Sequence, residues 1–174
     1  MFMTSQHNSE KTPILGKIII LVGGLCFGFL VGRIFFVPFK ASGHSMAPSV
    51  KAGDTMIILK HTTPEPGDIA LIRHPSDDGK VLLRRVIAGG GTTVEVRNKI
   101  LYLNDKKFSF PWKIQNRDRR NFPMHFTERD NMAAQKIAPH HYFLLGDNLD
   151  QGFDSRTFGT VHEDAVIGTL LYLF

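Results

Sequence analysis

The chain has 174 residues, 43% of them hydrophobic, which suits one ordinary domain plus an appendage and excludes a disordered polypeptide. Its formal net charge of +5 comes from basic residues scattered among 16 acids, a pattern that suits attraction to anionic membrane lipids and not a nucleic-acid site. The single cysteine, Cys26, rules out both a disulfide framework and a cysteine-based zinc site.

In chain order, a polar tail over residues 1–13 precedes an apolar run. Residues 18–32, "IIILVGGLCFGFLVG", carry no charge, and apolar character resumes after Arg33 with "IFFVPF". Residues 14–38 are therefore expected to form a transmembrane helix. Bulky residues and a proline follow the run where a cleavable secretory signal would carry small ones, so a retained anchor is expected. Lys11 and Lys17 before the core, against Arg33 and Lys40 after it, weakly favour an inside N-terminus. Gly24, Gly28 and Gly32 repeat every four residues, which would line one helix face for a partner membrane protein or be ordinary transmembrane glycines.

Beyond the anchor the pattern changes to short runs rich in β-branched and aromatic residues, separated by Gly, Pro, Asn and Asp. Strands are expected at 54–60, 68–73, 81–88, 92–97, 100–103, 141–145 and 165–174, with "RNK" at 97–99 as a hairpin turn. Residues 111–138 lack a period and are expected to be a loop excursion. Its basic residues Lys113, Arg117, Arg119, Arg120 and Arg129 suit either solvent or lipid headgroups. A mainly β domain over 41–174 follows.

Residues 41–54, "ASGHSMAPSVKAGD", sit just after the apolar run. A serine becomes a nucleophile only when a base takes its proton and donors await the oxyanion. Around Ser45, Gly43 permits close approach of a substrate backbone, Pro48 stiffens the turn, and Met46 offers an apolar anchor beside bound peptide or lipid.

Four stretches, taken in order, resemble the type I signal peptidase family. "SGHSMAPS" is similar to its nucleophile box, with Ser45 in the nucleophile's place, and "PGDIALIRHP" to the strand that follows. "LLRRVIAGGGTTVEVRNKILYLND" resembles the box carrying a catalytic lysine, an arginine and a glycine-rich turn. "GDNLDQGFDSRTFG" matches the last signature at Gly146, Asp147, Asn148, Asp154, Ser155, Arg156 and Gly159. The resemblance implies an antiparallel β catalytic domain behind an N-terminal transmembrane helix. It further implies a single-pass protein of the cell inner (cytoplasmic) membrane, rather than the mitochondrial inner membrane, with the β-domain on the outer side. Such an enzyme removes signal or leader peptides from exported preproteins and uses an unprotonated lysine as base, with no cofactor and no metal. Asp147, Asn148, Asp154, Ser155 and Arg156 are expected to support the site.

Two positions depart from the family pattern. Arg84 stands where the family has its lysine, and Gly152 where it has a serine that orients that lysine. Releasing the proton of an arginine at neutral pH costs roughly 9 kcal/mol, so Arg84 cannot act as a base. No other residue replaces it convincingly. His44 should face away from its neighbour Ser45, Lys80 lies about 13 Å along the strand as a turn lysine, His74 suits the surface, and His140 and His141 are adjacent. Three readings follow: an active peptidase with an altered base, a slow processing factor for one substrate, or a non-catalytic relative. The last would bind exported proteins or a partner protease, with Arg84 locked in a salt bridge to Asp147 or Asp154.

Overall fold

The structure, a computed structural model, describes residues 14–151 and 153–174; the 1–13 tail with Lys11, and Gly152, lie outside the described residues. It divides into a helical unit ending at Phe35 and a β unit from Phe36 to Phe174.

The helical unit is α1, Ile14–Phe35, whose 22 residues span about 33 Å and suffice to cross a bilayer. None of its residues is buried, and Gly24, Gly28 and Gly32 are open to the outside. The helix stops three residues before the expected end at 38. Pro38 cannot donate within a helix, and Phe36–Lys40 instead form strand β1.

In the β unit β1 is followed by β2 (Thr55–Lys60), β3 (Ile69–His74), β4 (Asp77–Gly89), β5 (Thr93–Arg97), β6 (Ile100–Leu103) and β7 (Lys106–Lys107). Then come β8 (Met132–Lys136), β9 (His141–Leu145), the short helix α2 (Ser155–Phe158), β10 (Val161–His162) and β11 (Val166–Leu173). They build a seven-stranded sheet in the order β1-β2-β11-β3-β4-β9-β10 and a four-stranded sheet in the order β7-β6-β5-β8. Every pair is antiparallel. The β5–β6 turn is made by Asn98 and Lys99, both at positive φ, the arrangement whose twist suits a two-residue hairpin.

Two differences from the sequence reading concern pairing. The expected 81–88 strand starts at Asp77, because a two-residue turn at 75–76 closes the β3–β4 hairpin; Lys80 is therefore in a strand, where it pairs with Asp77 at 2.7 Å. Within the expected loop 111–138, Met132–Lys136 add to β5 as an edge strand. Of its five residues only Met132 is buried, and the two alanines beside it are small and exposed, so no alternating hydrophobic period announced it.

Side-chain alternation explains the core. On β3, Ile69 and Leu71 join one cluster with Met46, Val50, Met56 and Ile58, whereas Ala70 and Ile72 join another with Val86 and Leu144. Both faces of this central strand are covered, which is why it reads as an unbroken apolar run. On β9 the same alternation puts Phe143 and Leu145 into the third cluster, against Val94, Val96 and Leu101 of the smaller sheet. That cluster holds the two sheets together; Phe143 is fully buried, and its loss would cost about 3–5 kcal/mol.

The excursion is held by ion pairs, so its arginines are not all free. Asp118 accepts from Arg120 at 2.8 Å and from Arg129 at 3.0 Å, and Asp130 accepts from Arg129 at 2.7 Å and from the Phe122 N–H at 2.9 Å. Hydrogen bonds from Arg120 hold the Asp118 carboxyl well below the ordinary range. Burial works against the charge on Asp130, but the bonds from Arg129 and Phe122 still bring its pKa down.

Both carboxyls are lowered on folding, so their contribution is complete above the ordinary aspartate pKa of about 3.9 and fades as pH falls through the lowered values. Pepsin should therefore leave residues 117–131 intact at pH 4–5 and begin to cut there only in stronger acid. Cutting at pH 5 would show that the ion pairs do not secure this segment. A second expectation concerns Gly168, where an added Cβ would lie 2.1 Å from the Leu59 carbonyl oxygen. Gly168→Ala should cost about 1–3 kcal/mol, read as a lower urea midpoint of the full chain in detergent through Trp112 fluorescence.

Candidate active site

Ser45 lies in the turn between β1 and β2. Backbone bonds from Ala41 N–H to Asp54 O (2.9 Å) and from Gly53 N–H to Ala41 O (2.7 Å) close the base of this loop, and Val50 N–H to Met46 O (2.9 Å) tightens its tip. The 146–149 segment after β9 docks directly on the turn. Asn148 donates its N–H to Ser45 O at 2.9 Å and its side-chain amide to His44 O at 3.2 Å. Contact is so close that a Cβ on Gly146 would lie 2.5 Å from Ser45 O, so glycine is needed there for space rather than for conformation.

Behind this contact stand two buried ion pairs. Arg85 grips Asp147 through both carboxylate oxygens, at 2.7 and 2.6 Å, and also donates to Gly67 O at 2.7 Å and Ser49 Oγ at 3.2 Å. Its guanidinium lies over the Trp112 ring, 4.5 Å from the centroid. Arg156 pairs with Asp154 in the same two-pronged way, at 2.9 and 2.8 Å, and reaches Leu149 O and Arg129 O. Asp154 also accepts from Gly146 N–H at 3.2 Å, and Ser155 Oγ accepts from Leu144 N–H at 2.9 Å. Asp154, Ser155 and Arg156 thus tie α2 to β9 and to the segment that cradles Ser45.

Arg84 and Arg85 are neighbours on β4, and strand alternation sends them to different surroundings. Arg84, 4% exposed, donates from Nη1 to Ser45 Oγ at 2.9 Å and to Leu83 O at 2.5 Å; its Nε and Nη2 both donate to Phe153 O, at 3.0 and 2.7 Å. The salt bridge from Arg84 to Asp147 or Asp154 does not form, because each of those carboxylates is already held two-pronged by another arginine. Burial pushes the Arg84 guanidinium below its usual pKa, Asp154 opposes that shift through space, and Arg156 adds to it. An arginine side chain nonetheless stays protonated and offers only donors.

Ser45 and Arg84 open on a cleft of about 160 Å³ lined by Phe39, Ala41, Ser42, Gly43, Met46 and Leu83. Gly43 leaves it open, having nothing within 4 Å of its Cβ position. Met46 lines this cleft from below. It is 2% exposed and belongs to the core beneath the cleft, since its apolar side chain packs with Val50, Met56 and Ile58. His44 is exposed, and His74 stacks on Phe153 with centroids 4.9 Å apart. Among the described residues Arg84 is the one side chain hydrogen-bonded to Ser45 Oγ, and no group of His, Cys, Asp and Glu could hold a metal ion.

Sequence reasoning missed the Arg85–Asp147 pair, the Phe153 carbonyl that clamps Arg84, and the use of the Asn148 N–H. The double arginine in "RRV" was the available signal for the first. The others are backbone contacts, for which side-chain identity carries no signal. Replacing Asp147 with Asn would leave a buried guanidinium without its counter-ion, and should cost about 3–5 kcal/mol in denaturant unfolding. The paired change Arg85→Met with Asp147→Leu should recover part of that loss, because it removes both charges.

The family described as signal peptidase, peptidase S26, matches residues 14–174 of the chain. Signal peptidase IB of Staphylococcus aureus (strain COL) is 29% identical over 175 residues, which cover 94% of this chain and 91% of that protein. Signal peptidase I of Bacillus amyloliquefaciens is 31% identical over 166 residues, covering 91% and 83%. A crystal structure of a signal peptidase I from Enterococcus faecalis V583 covers 63% of this chain and 98% of its own, with 28% identity and a TM-score of 0.48. With a family match running from the apolar helix to the last strand, the chain belongs to the type I signal peptidase family, peptidase S26.

Proposed function

We propose that this chain is a membrane-anchored endopeptidase that removes signal or leader peptides from exported preproteins, with Ser45 as nucleophile and Arg84 as a fixed cation beside it. In this reading α1 anchors the chain, the β unit from Phe36 to Phe174 is the catalytic domain, and that domain stands on the outer side of the cytoplasmic membrane. Membership of the signal peptidase family supports the reaction, and curated relatives carry the name signal peptidase. The observation that carries the roles is the 2.9 Å hydrogen bond from Arg84 Nη1 to Ser45 Oγ on the floor of an open cleft.

The guanidinium lowers the cost of forming a serine alkoxide and of the oxyanion that follows attack on a peptide carbonyl. It cannot take the proton, which passes instead to water or hydroxide. Cleavage should accordingly rise with pH through the neutral range, without the plateau that a titrating lysine near neutrality would impose. Gly24, Gly28 and Gly32 on the helix could also seat a partner membrane protein, and the unpaired basic residues of the excursion could meet lipid headgroups.

A second reading is favoured by the same bond: a donor occupies the Ser45 hydroxyl where a base belongs, as suits a relative that binds signal peptides without cutting them. One experiment separates the two. The lipid-reconstituted full chain is given a preprotein with a small-x-small site, beside Ser45→Ala, Arg84→Lys, and Arg84→Lys combined with Gly152→Ser. Slow cleavage by the parent, abolished in Ser45→Ala and raised roughly 100-fold or more in the lysine variants, is the expected result. No cleavage by the parent at any pH, with activity appearing in the lysine variants, would make the chain a binder.

A further inference from the structure

Three arginines are buried among the described residues, and two of them have a carboxylate: Arg85 has Asp147, and Arg156 has Asp154. Arg84 has none. Its acceptors are the carbonyls of Phe153 and Leu83 and the hydroxyl of Ser45, all neutral, although the residue is 4% exposed. A guanidinium out of water and without a counter-ion is a costly arrangement, and here it lines the cleft beside Ser45. Nη1 donates both to Ser45 Oγ and to Leu83 O, while Nε and Nη2 donate to Phe153 O. Ser45 Oγ accepts from Arg84 and keeps its own proton to donate. A positive charge and a hydroxyl donor therefore lie together at the cleft floor, a combination that suits a carboxylate.

We infer that the cleft is a receptor for a peptide α-carboxylate, the group that hydrolysis leaves at the end of a released leader peptide. The inference rests on the proposal that the cleft takes a peptide chain, and it adds the charge state of the preferred ligand. Its physical basis is the permanence of the arginine charge. A lysine that serves as a base is neutral when it acts, and so holds a newly formed carboxylate weakly, whereas Arg84 is charged throughout. The same side chain that stabilises an oxyanion would then retain the product, so that release of the cleaved leader is slow.

The test needs no substitution to begin. The full chain in detergent micelles is titrated at pH 7 with a fluorescent apolar peptide ending in Ala-Gln-Ala, once as the free acid and once as the C-terminal amide. The acid should bind at least about tenfold more tightly than the amide. In Arg84→Gln, shown to be folded by an unchanged urea transition, the two forms should bind alike. Equal binding of acid and amide to the parent overturns the inference while leaving a peptide-binding cleft in place. Binding of neither form would remove that cleft along with the inference. An acid preference that persists in folded Arg84→Gln would also overturn it, by placing the responsible charge elsewhere.

Discussion

The contact between the 146–149 segment and the carbonyl of Ser45 is the constraint on which the rest of the site depends. A hydrogen bond from Asn148 N–H fixes the backbone of Ser45, and the approach is possible only because residue 146 has no side chain. Everything else near the site serves to hold that segment in place. Asp154 takes the Gly146 N–H, Arg85 takes Asp147 in a two-pronged grip, and the 115–149 backbone ladder closes it from the other side. Two buried ion pairs in so small a region are a costly way to stabilise a fold, since apolar residues of the same volume often do better. Their value lies in geometry, because a two-pronged pair fixes the direction of both partners as well as their distance.

On this scaffold Arg84 is the buried arginine, among the described residues, that has no carboxylate partner. Arg84 is accommodated as a structural side chain, clamped by the Phe153 carbonyl on one edge and touching Ser45 with the other. A lysine has one nitrogen, and could not bridge the two in the same way. The arginine thus places a rigid, permanent charge beside the Ser45 hydroxyl. In the endopeptidase reading that charge assists the oxyanion and slows release of the product; in the binding reading it makes the serine a ligand and no longer a nucleophile. Both follow from the same hydrogen bond between Arg84 and Ser45.

Much of the fold was legible because antiparallel strands buried on alternate sides leave a period of two in the sequence. The strands at 55–60, 93–97 and 100–103 stand within a residue of their expected places, and the Asn98-Lys99 turn declares the hairpin between the last two. Segments without that period escaped. β8 is an edge strand with one buried residue, and β7 and β10 are two residues each, too short to show any pattern. The depth of Met46 was hidden for a related reason: how far an apolar side chain in a turn reaches into the core depends on which strands lie beneath it.

By itself the sequence determined the chemical inventory: an apolar helix, a β-rich domain, a serine in a matching box, and an arginine where a proton acceptor would be expected. It also determined that this arginine cannot be a base, since that is a property of the guanidinium and not of its surroundings. Tertiary structure alone decided which carboxylate pairs with which arginine. Arg84, Arg85 and Arg156 compete for Asp147 and Asp154, and only the pleat of β4 and the path of the 146–156 segment settle that Arg84 is left without one. Pairing of charges depends on distances between residues far apart in the chain, and those distances exist only once the strands are assembled.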